Sequence, residues 1–143
     1  MIVENSFEDK IFPELKKYVE EKSIYNPTVT KAMPQQNKVF PIVPVKLLPV
    51  TNKYNNLSYG EETYTFGIEV EIYAIASGKT SKRTVCNEVT GQVVDYFKNN
   101  YHVTIKTELD ALNADSNVHR NIIKITGTLD TKYGLDNLVI YPV

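Results

Sequence analysis

The clearest pattern in the chain is an alternation of apolar and polar residues across residues 64–76. Every second side chain is apolar, which predicts a strand with one buried face and one face toward water. The buried set is Tyr64, Phe66, Ile68, Val70, Ile72 and Ala74, and the other set is Thr65, Gly67, Glu69, Glu71 and Tyr73. A shift of one residue would bury the two glutamates, so the register is well specified. We predict that this strand is central and organises the fold.

Apolar residues at helical spacing predict two helices, at about residues 6–22 and 81–99. The positions are Phe7, Ile11, Leu15 and Val19 in the first, and Val85, Val89, Val93 and Phe97 in the second. Pro13 is expected to kink the first helix or to lie in its first turn. The polar face of this helix, which includes Lys16 and Glu20, is expected to contact water. Thr80 or Ser81 is expected to cap the second helix.

Four further segments are predicted to be extended, at residues 28–33, 102–109, 120–130 and 138–141. With only two helices, this order predicts an α+β fold. We expect one domain with a mostly antiparallel or mixed sheet of about four to five strands and both helices packed on one face.

Two segments before the central strand are harder to assign. Residues 38–50, KVFPIVPVKLLPV, are apolar but contain three prolines, which cannot donate to a strand ladder. An edge strand or an extended arm is therefore predicted there. Residues 51–62, TNKYNNLSYGEE, predict a long polar loop. This loop is either a plain surface connection or a contact loop that uses Tyr54 and Tyr59.

Composition and charge exclude several classes of function. The chain has 143 residues, with 16 basic and 17 acidic side chains and a net charge of −1. This even balance gives no electrostatic footprint for general nucleic-acid binding. No apolar run reaches eighteen residues, and the first residues do not resemble a secretory signal. A single cysteine cannot form an internal disulfide, so we expect synthesis in a reducing compartment.

Candidate catalytic motifs are incomplete. Gly78-Lys79-Thr80 resembles the end of a phosphate-binding loop, but the glycine required five residues earlier is Tyr73. Cys86 lies on the predicted apolar face of the second helix, where a buried thiol is inert. Together with His102 and His119, which we expect near the surface, it falls short of a structural zinc site. We predict no enzymatic activity, no cofactor and no metal.

For each of two charged clusters, the sequence allows two interpretations. Lys79, Lys82 and Arg83 lie at the start of the second helix, where they are either simply exposed or hold an anion. Glu69 and Glu71 lie on the polar face of the central strand, and nothing suggests the pocket that a glycosidase pair needs. They are either solvated or complementary to another subunit.

The order of elements, and the run VHRNIIKITGTLD at residues 118–130 followed by LVIY at 138–141, resembles the tail terminator, or tail completion, proteins of long-tailed phages and related prophage particles. In that family a small α+β domain ends in a similar long strand and a short strand that carries a tyrosine. The resemblance covers most of the chain.

The resemblance implies a structural role. Such proteins form a ring, commonly a hexamer, on the head-proximal end of the tail tube, where they stop tube polymerisation and receive the head's connector. It implies copies of itself, the tail tube protein and the head–tail connector protein as partners, without specific nucleic acid or a membrane. It also implies synthesis in the bacterial cytoplasm and a place in the virion tail.

Within that role we expect the subunit interface to include the polar face of the central strand and the long loop. The candidate residues are Glu69, Glu71, Tyr73, Tyr54 and Tyr59. The alternatives are a neighbouring neck or head-completion protein of the same particles, and a small ligand-binding α+β domain.

Overall fold

The computed structural model describes residues 2–36, 38–49, 51–56, 61–130 and 140–141, with side chains over 3–36, 38–49 and 64–128. The helices are α1 (Ile2–Ser6), which continues through a π-helical turn (Phe7–Ile11) into α2 (Phe12–Lys22), and α3 (Lys82–Asn100). The strands are β1 (Thr28–Thr30), β2 (Ile42–Leu47), β3 (Thr51–Asn56), β4 (Glu61–Ala74), β5 (Thr104–Glu108), β6 (His119–Asp130) and β7 (Ile140–Tyr141).

The described strands form one sheet in the order β1-β2-β4-β6-β5. β3 pairs with β4 beyond the end of β2, and β7 pairs with β6 beyond the start of β5, so the sheet is five strands wide. Among these described strands, only β1 and β2 run parallel. The predicted α+β fold, with a mostly antiparallel sheet and helices on one face, is confirmed.

β4 is the central strand, as predicted. It pairs with β6 without interruption from Thr63–Asp130 to Ala74–His119. Its even-numbered side chains from Tyr64 to Ala74 are all at most 9% exposed and face the core shared with both helical segments. Each large side chain buried there stabilises the fold by roughly 1.5–3 kcal/mol, which holds this register in place.

The N-terminal helix begins at Ile2, earlier than predicted, and a π-helical turn at Phe7–Ile11 comes just before Pro13. The Phe12 N–H donates to the Phe7 carbonyl, five residues back, and Pro13 then lies in the first turn of α2. A proline lacks the N–H for a regular i−4 bond and needs space for its ring, and the wider turn before it meets both conditions. The prediction that Pro13 lies in a first turn is therefore confirmed for α2.

The polar face of α2 binds the outer edge of the sheet. Lys16 Nζ donates to the Val29 carbonyl at 2.9 Å, and the Val29 N–H donates to Glu20 Oε2 at 3.1 Å. Lys16 and Glu20 also bond to each other at 2.7 Å. The expectation that these side chains only contact water is wrong, because together they satisfy the backbone groups that β1 would otherwise leave unpaired.

The prediction of an edge strand or arm for residues 38–50 is also wrong. β2 lies between β1 and β4. Its pairs with β4 are Ile42–Tyr73 and then Val45–Val70 to Leu47–Ile68, so Pro44 falls where the ladder is interrupted. β1 ends opposite Pro44, and Pro41 and Pro49 lie outside the strand. Each proline therefore occupies a place where the missing N–H costs little.

The predicted loop at residues 51–62 is largely a strand. β3 forms an antiparallel hairpin with the first residues of β4, with a register shift between Asn52 and Tyr54. Alternation fails as a signal here because the segment is polar on both faces. The two ends of α3 follow the prediction more closely, since Ser81 Oγ accepts the Thr84 N–H at 3.2 Å as a cap. Among the described residues, no helix is both long and apolar enough to cross a membrane.

Candidate functional site

The face of the sheet opposite the helices carries the predicted interface residues of β4. Glu69, Glu71 and Tyr73 all lie there and are half-buried. The side chains of the other two candidates lie outside the described part of the structure. Tyr54 is on β3, opposite Thr63, but its side chain lies outside the described residues, and so does the whole of Tyr59. We refer to this surface as the helix-free face.

Glu71 and Tyr73 are tied to Arg120 on the neighbouring strand β6. The Arg120 guanidinium forms an ion pair with Glu71, and it lies 5.6 Å from the centre of the Tyr73 ring. Tyr73 OH donates to the second oxygen of Glu71 at 3.0 Å. Arg120 also donates to the Leu112 carbonyl at 2.8 Å, which fixes the β5–β6 connection to the sheet. Glu71 is thus neutralised within the subunit.

The electrostatics of this cluster follow from its geometry. The hydrogen bond to Glu71 raises the pKa of Arg120 above its ordinary value. Partial burial, and then the hydrogen bond to Glu71, raise the pKa of the Tyr73 hydroxyl. Both groups therefore keep their neutral-pH protonation states over a wide range.

Glu69 is differently placed, within a row of charged residues that crosses four strands. Lys46 of β2 and Lys124 of β6 lie directly opposite it on either side, and Lys106 of β5 lies opposite Lys124. Among the described side chains, none forms an ion pair with Glu69. Its carboxylate is therefore available to a partner, whereas that of Glu71 is not.

A cleft of about 300 Å³ adjoins this row at the margin of the face. Its charged lining residues are Lys31, Lys46, Glu69 and Glu71. Lys31 is already engaged in an ion pair with Glu8. A lining of mixed charge suits the side chains of another protein better than an apolar small molecule.

A second cleft, of about 420 Å³, lies at the start of α3. Lys82 and Arg83 line it, as the anion hypothesis requires, but both are engaged. The Lys82 ammonium donates to the Ser116 carbonyl, and Arg83 lies 3.6 Å from Asp110. His119 also lines the cleft and is only 5% exposed, so its predicted place near the surface is wrong. It lies on the core-facing side of β6, next to α3.

The predicted burial of Cys86 is confirmed. Its thiol lies between α3 and the sheet, 3.3 Å from the Ile72 carbonyl and 3.7 Å from the His119 carbonyl. Sγ therefore contacts the backbone of His119, and no imidazole activates it. Burial raises the pKa of the Cys86 thiol to about 12.

We expect the native thiol to resist alkylation. With a pKa of about 12, the thiolate fraction at pH 8 is on the order of 10⁻⁴, and the buried sulfur is out of reach of reagent. Iodoacetamide labelling followed by mass spectrometry should detect almost no adduct in buffer and complete labelling in urea. Rapid labelling of the folded chain would contradict the buried, inert thiol.

Sequence reasoning missed Arg120 and Lys124 as members of the helix-free face. The alternation in residues 120–130 does place their side chains opposite the apolar ones, which was a usable signal. What it lacks is the pairing partner of each residue, which sets Arg120 beside Tyr73 and Lys124 beside Glu69.

Comparison with protein-family models finds no match, and no curated protein matches the sequence. The functional assignment therefore depends on the resemblance described above and on the geometry of the helix-free face.

Proposed function

We propose that this chain is a structural protein of a phage or phage-like particle. It forms a ring, with six copies as the expected number, on the head-proximal end of the tail tube. There it ends tube polymerisation and allows the head's connector to join. The proposal starts from the resemblance of the element order and of residues 118–130 to tail terminator proteins. The observation that supports it most is the helix-free face, where charged residues of four strands lie side by side.

The physical argument concerns how subunits recognise each other in a ring. A closed ring needs two different patches on each subunit that meet head to tail. Lys46, Glu69, Lys124 and Lys106 follow one another across the sheet with the charges plus, minus, plus and plus, and such an asymmetric row fits a complementary surface in only one direction. Beside it, the Glu71–Arg120 ion pair gives this patch a fixed shape.

A structural role without catalysis is part of the proposal. The Cys86 thiol is buried with a raised pKa, and Glu71 is held by Arg120. Neither group is suited to act as a nucleophile or a general acid at neutral pH.

The test is complementation of a phage or prophage that lacks this gene, with tails imaged by negative-stain electron microscopy. The native chain should restore tails of uniform length that carry heads. Glu69→Lys should reduce the fraction of finished tails about tenfold or more, because it reverses the one negative charge that this row presents to a complementary surface. Glu71 is left unchanged, since its replacement would break the ion pair with Arg120.

The matched control is Lys17→Glu, a charge reversal at an exposed position of α2, away from the helix-free face. It should complement like the native chain. If the native chain never decorates tube ends and restores nothing, the proposed function is wrong. If the native chain restores tails and Glu69→Lys does so equally well, the function stands and the helix-free face is not the interface.

A further inference from the structure

The two lateral edges of the sheet use their backbone groups differently. At β1, side chains of α2 bind the N–H and carbonyl of Val29. At the opposite edge β5 pairs with β6 on one side, and no described strand lies along its other side. Alternate residues of an antiparallel strand direct both backbone groups away from their partner. Within the described part of the chain, the outward-facing donors and acceptors of β5 therefore have no strand partner and are open to another strand.

The side chains along this edge are exposed, and the charged ones have no partner of opposite charge among the described side chains. Lys106, Thr107 and Glu108 are exposed, and Leu109, which follows the strand, is 55% exposed. Among the described side chains, neither Lys106 nor Glu108 forms an ion pair. Lys106 also lies directly opposite Lys124, and like charges in that position repel. An acidic residue on an added strand beside Lys106 would relieve this repulsion.

We propose that β5 pairs antiparallel with β5 of a second copy of this chain, about a two-fold axis at Thr107. Lys106 then lies opposite Glu108 of the partner subunit on the helix-free face. Ile105 lies opposite Leu109 of the partner subunit on the helix side, where Ile105 already faces the core through its pairing with Ile125. By symmetry each pair forms twice, so the edge is complementary to itself.

This complementarity holds in one register. If the axis moved by one residue, to Lys106 or to Glu108, that residue would face its own counterpart and like charges would meet. With the axis at Thr107, two opposite-charge pairs and two apolar pairs flank a central Thr–Thr pair. In this register odd-numbered residues lie opposite odd-numbered ones and even-numbered residues opposite even-numbered ones. The outward-facing backbone groups, whether they belong to the odd or the even residues, can therefore pair in a regular ladder.

The dimer goes beyond the proposed ring function and does not depend on it. A two-fold contact joins two copies and ends there, whereas ring contacts run head to tail. We assign the dimer to the free protein before assembly. Since the contact is small, its dissociation constant should be on the order of 10–100 μM.

Sedimentation velocity of the purified chain, across a wide concentration range and without tail tubes, tests the contact. The native chain should shift from monomer to dimer as its concentration rises. Lys106→Glu and Glu108→Lys should each weaken dimerisation about tenfold or more, because each places like charges opposite each other twice. A mixture of the two variants should dimerise again, since both charged facing pairs of the mixed dimer then carry opposite charges. Circular dichroism should show unchanged folding of both variants.

A cysteine at the axis tests the register. Thr107→Cys should form an interchain disulfide on mild oxidation, because directly opposite Cβ atoms lie about 4.5–5.5 Å apart. Buried Cys86 does not compete, and Ser116→Cys, at an exposed loop position, reports random collision. A native chain that stays monomeric overturns the proposal. So does a dimer that the mixture fails to restore, or equal cross-linking of the two cysteine variants. None of these results bears on tail completion.

Discussion

Phe97→Ala is expected to lower the free energy of unfolding by about 3–5 kcal/mol, among the largest effects of a single change in this chain. Phe97 is 1% exposed and lies in the last turns of α3. Its ring centre is 5.2 Å from that of Tyr96 and 6.0 Å from that of Tyr101. Tyr96 is held in turn by Glu14, whose carboxylate accepts its hydroxyl at 3.1 Å. The walls of the cavity are therefore fixed, which favours the upper part of the range.

Urea denaturation followed by circular dichroism measures this loss. The matched control is Phe97→Leu, which keeps most of the apolar volume and should cost about 1–1.5 kcal/mol. A loss below about 1 kcal/mol for the alanine variant would show that the aromatic cluster collapses into the space, contrary to its hydrogen-bonded arrangement.

Asn121→Ala is expected to cost about 2–4 kcal/mol, although a buried polar residue is removed. Asn121 is fully buried on β6 and makes three hydrogen bonds. Its amide donates to Asn87 Oδ1 and Thr90 Oγ1, both at 2.9 Å, and its carbonyl accepts the Asp110 N–H at 3.0 Å. Alanine would leave a cavity and an Asp110 N–H without its acceptor.

The stability cost of Asn87→Ala, compared with that of Asn121→Ala, shows whether the buried position of Asn121 adds to the cost of losing its hydrogen bonds. Asn87 is exposed and supplies only one of the three hydrogen bonds, so its loss should cost under about 1 kcal/mol. Both variants are measured by the same denaturation experiment. Equal losses would mean that the buried amide contributes no more than its surface partner does.

These two sites also separate stability from assembly. Phe97 and Asn121 belong to the layer between α3 and the sheet, whereas Glu69 lies on the opposite face. A variant in the core should act through the amount of folded protein. Glu69→Lys should lower the free energy of unfolding by only about 1 kcal/mol, because it places like charges opposite Lys46 and Lys124, and it should act mainly on tail completion.

Much of the candidate site was predictable, for a local reason. Glu69, Glu71 and Tyr73 share a face because residues two apart on a strand always do. Their neighbours Arg120 and Lys124 were not predicted, since the Arg120–Glu71 ion pair joins residues 49 positions apart. The same limit affected Lys16 and Glu20, whose helical spacing predicts an exposed face but not the edge of β1 that lies against it.

The prolines of residues 38–50 show the same division. Proline has no backbone N–H to donate to a neighbouring strand, and all three prolines lie where the sheet needs no such donor. The inference to an edge strand failed because the ladder with β4 is interrupted at Pro44 and β1 ends opposite it, an arrangement that no local rule describes. β3 escaped prediction because both of its faces are polar, and its pairing with β4 makes it a strand.

The sequence by itself determined the central strand, both helical segments, a cap at Thr80 or Ser81 and the fold class, because alternation, helical spacing and capping depend on residues close together in the chain. Tertiary structure alone decided which strands pair, that Glu71 is neutralised while Glu69 is not, and that β1 is closed while no described strand covers the outer side of β5. These outcomes depend on contacts between distant segments, whose register is set by packing of the whole core.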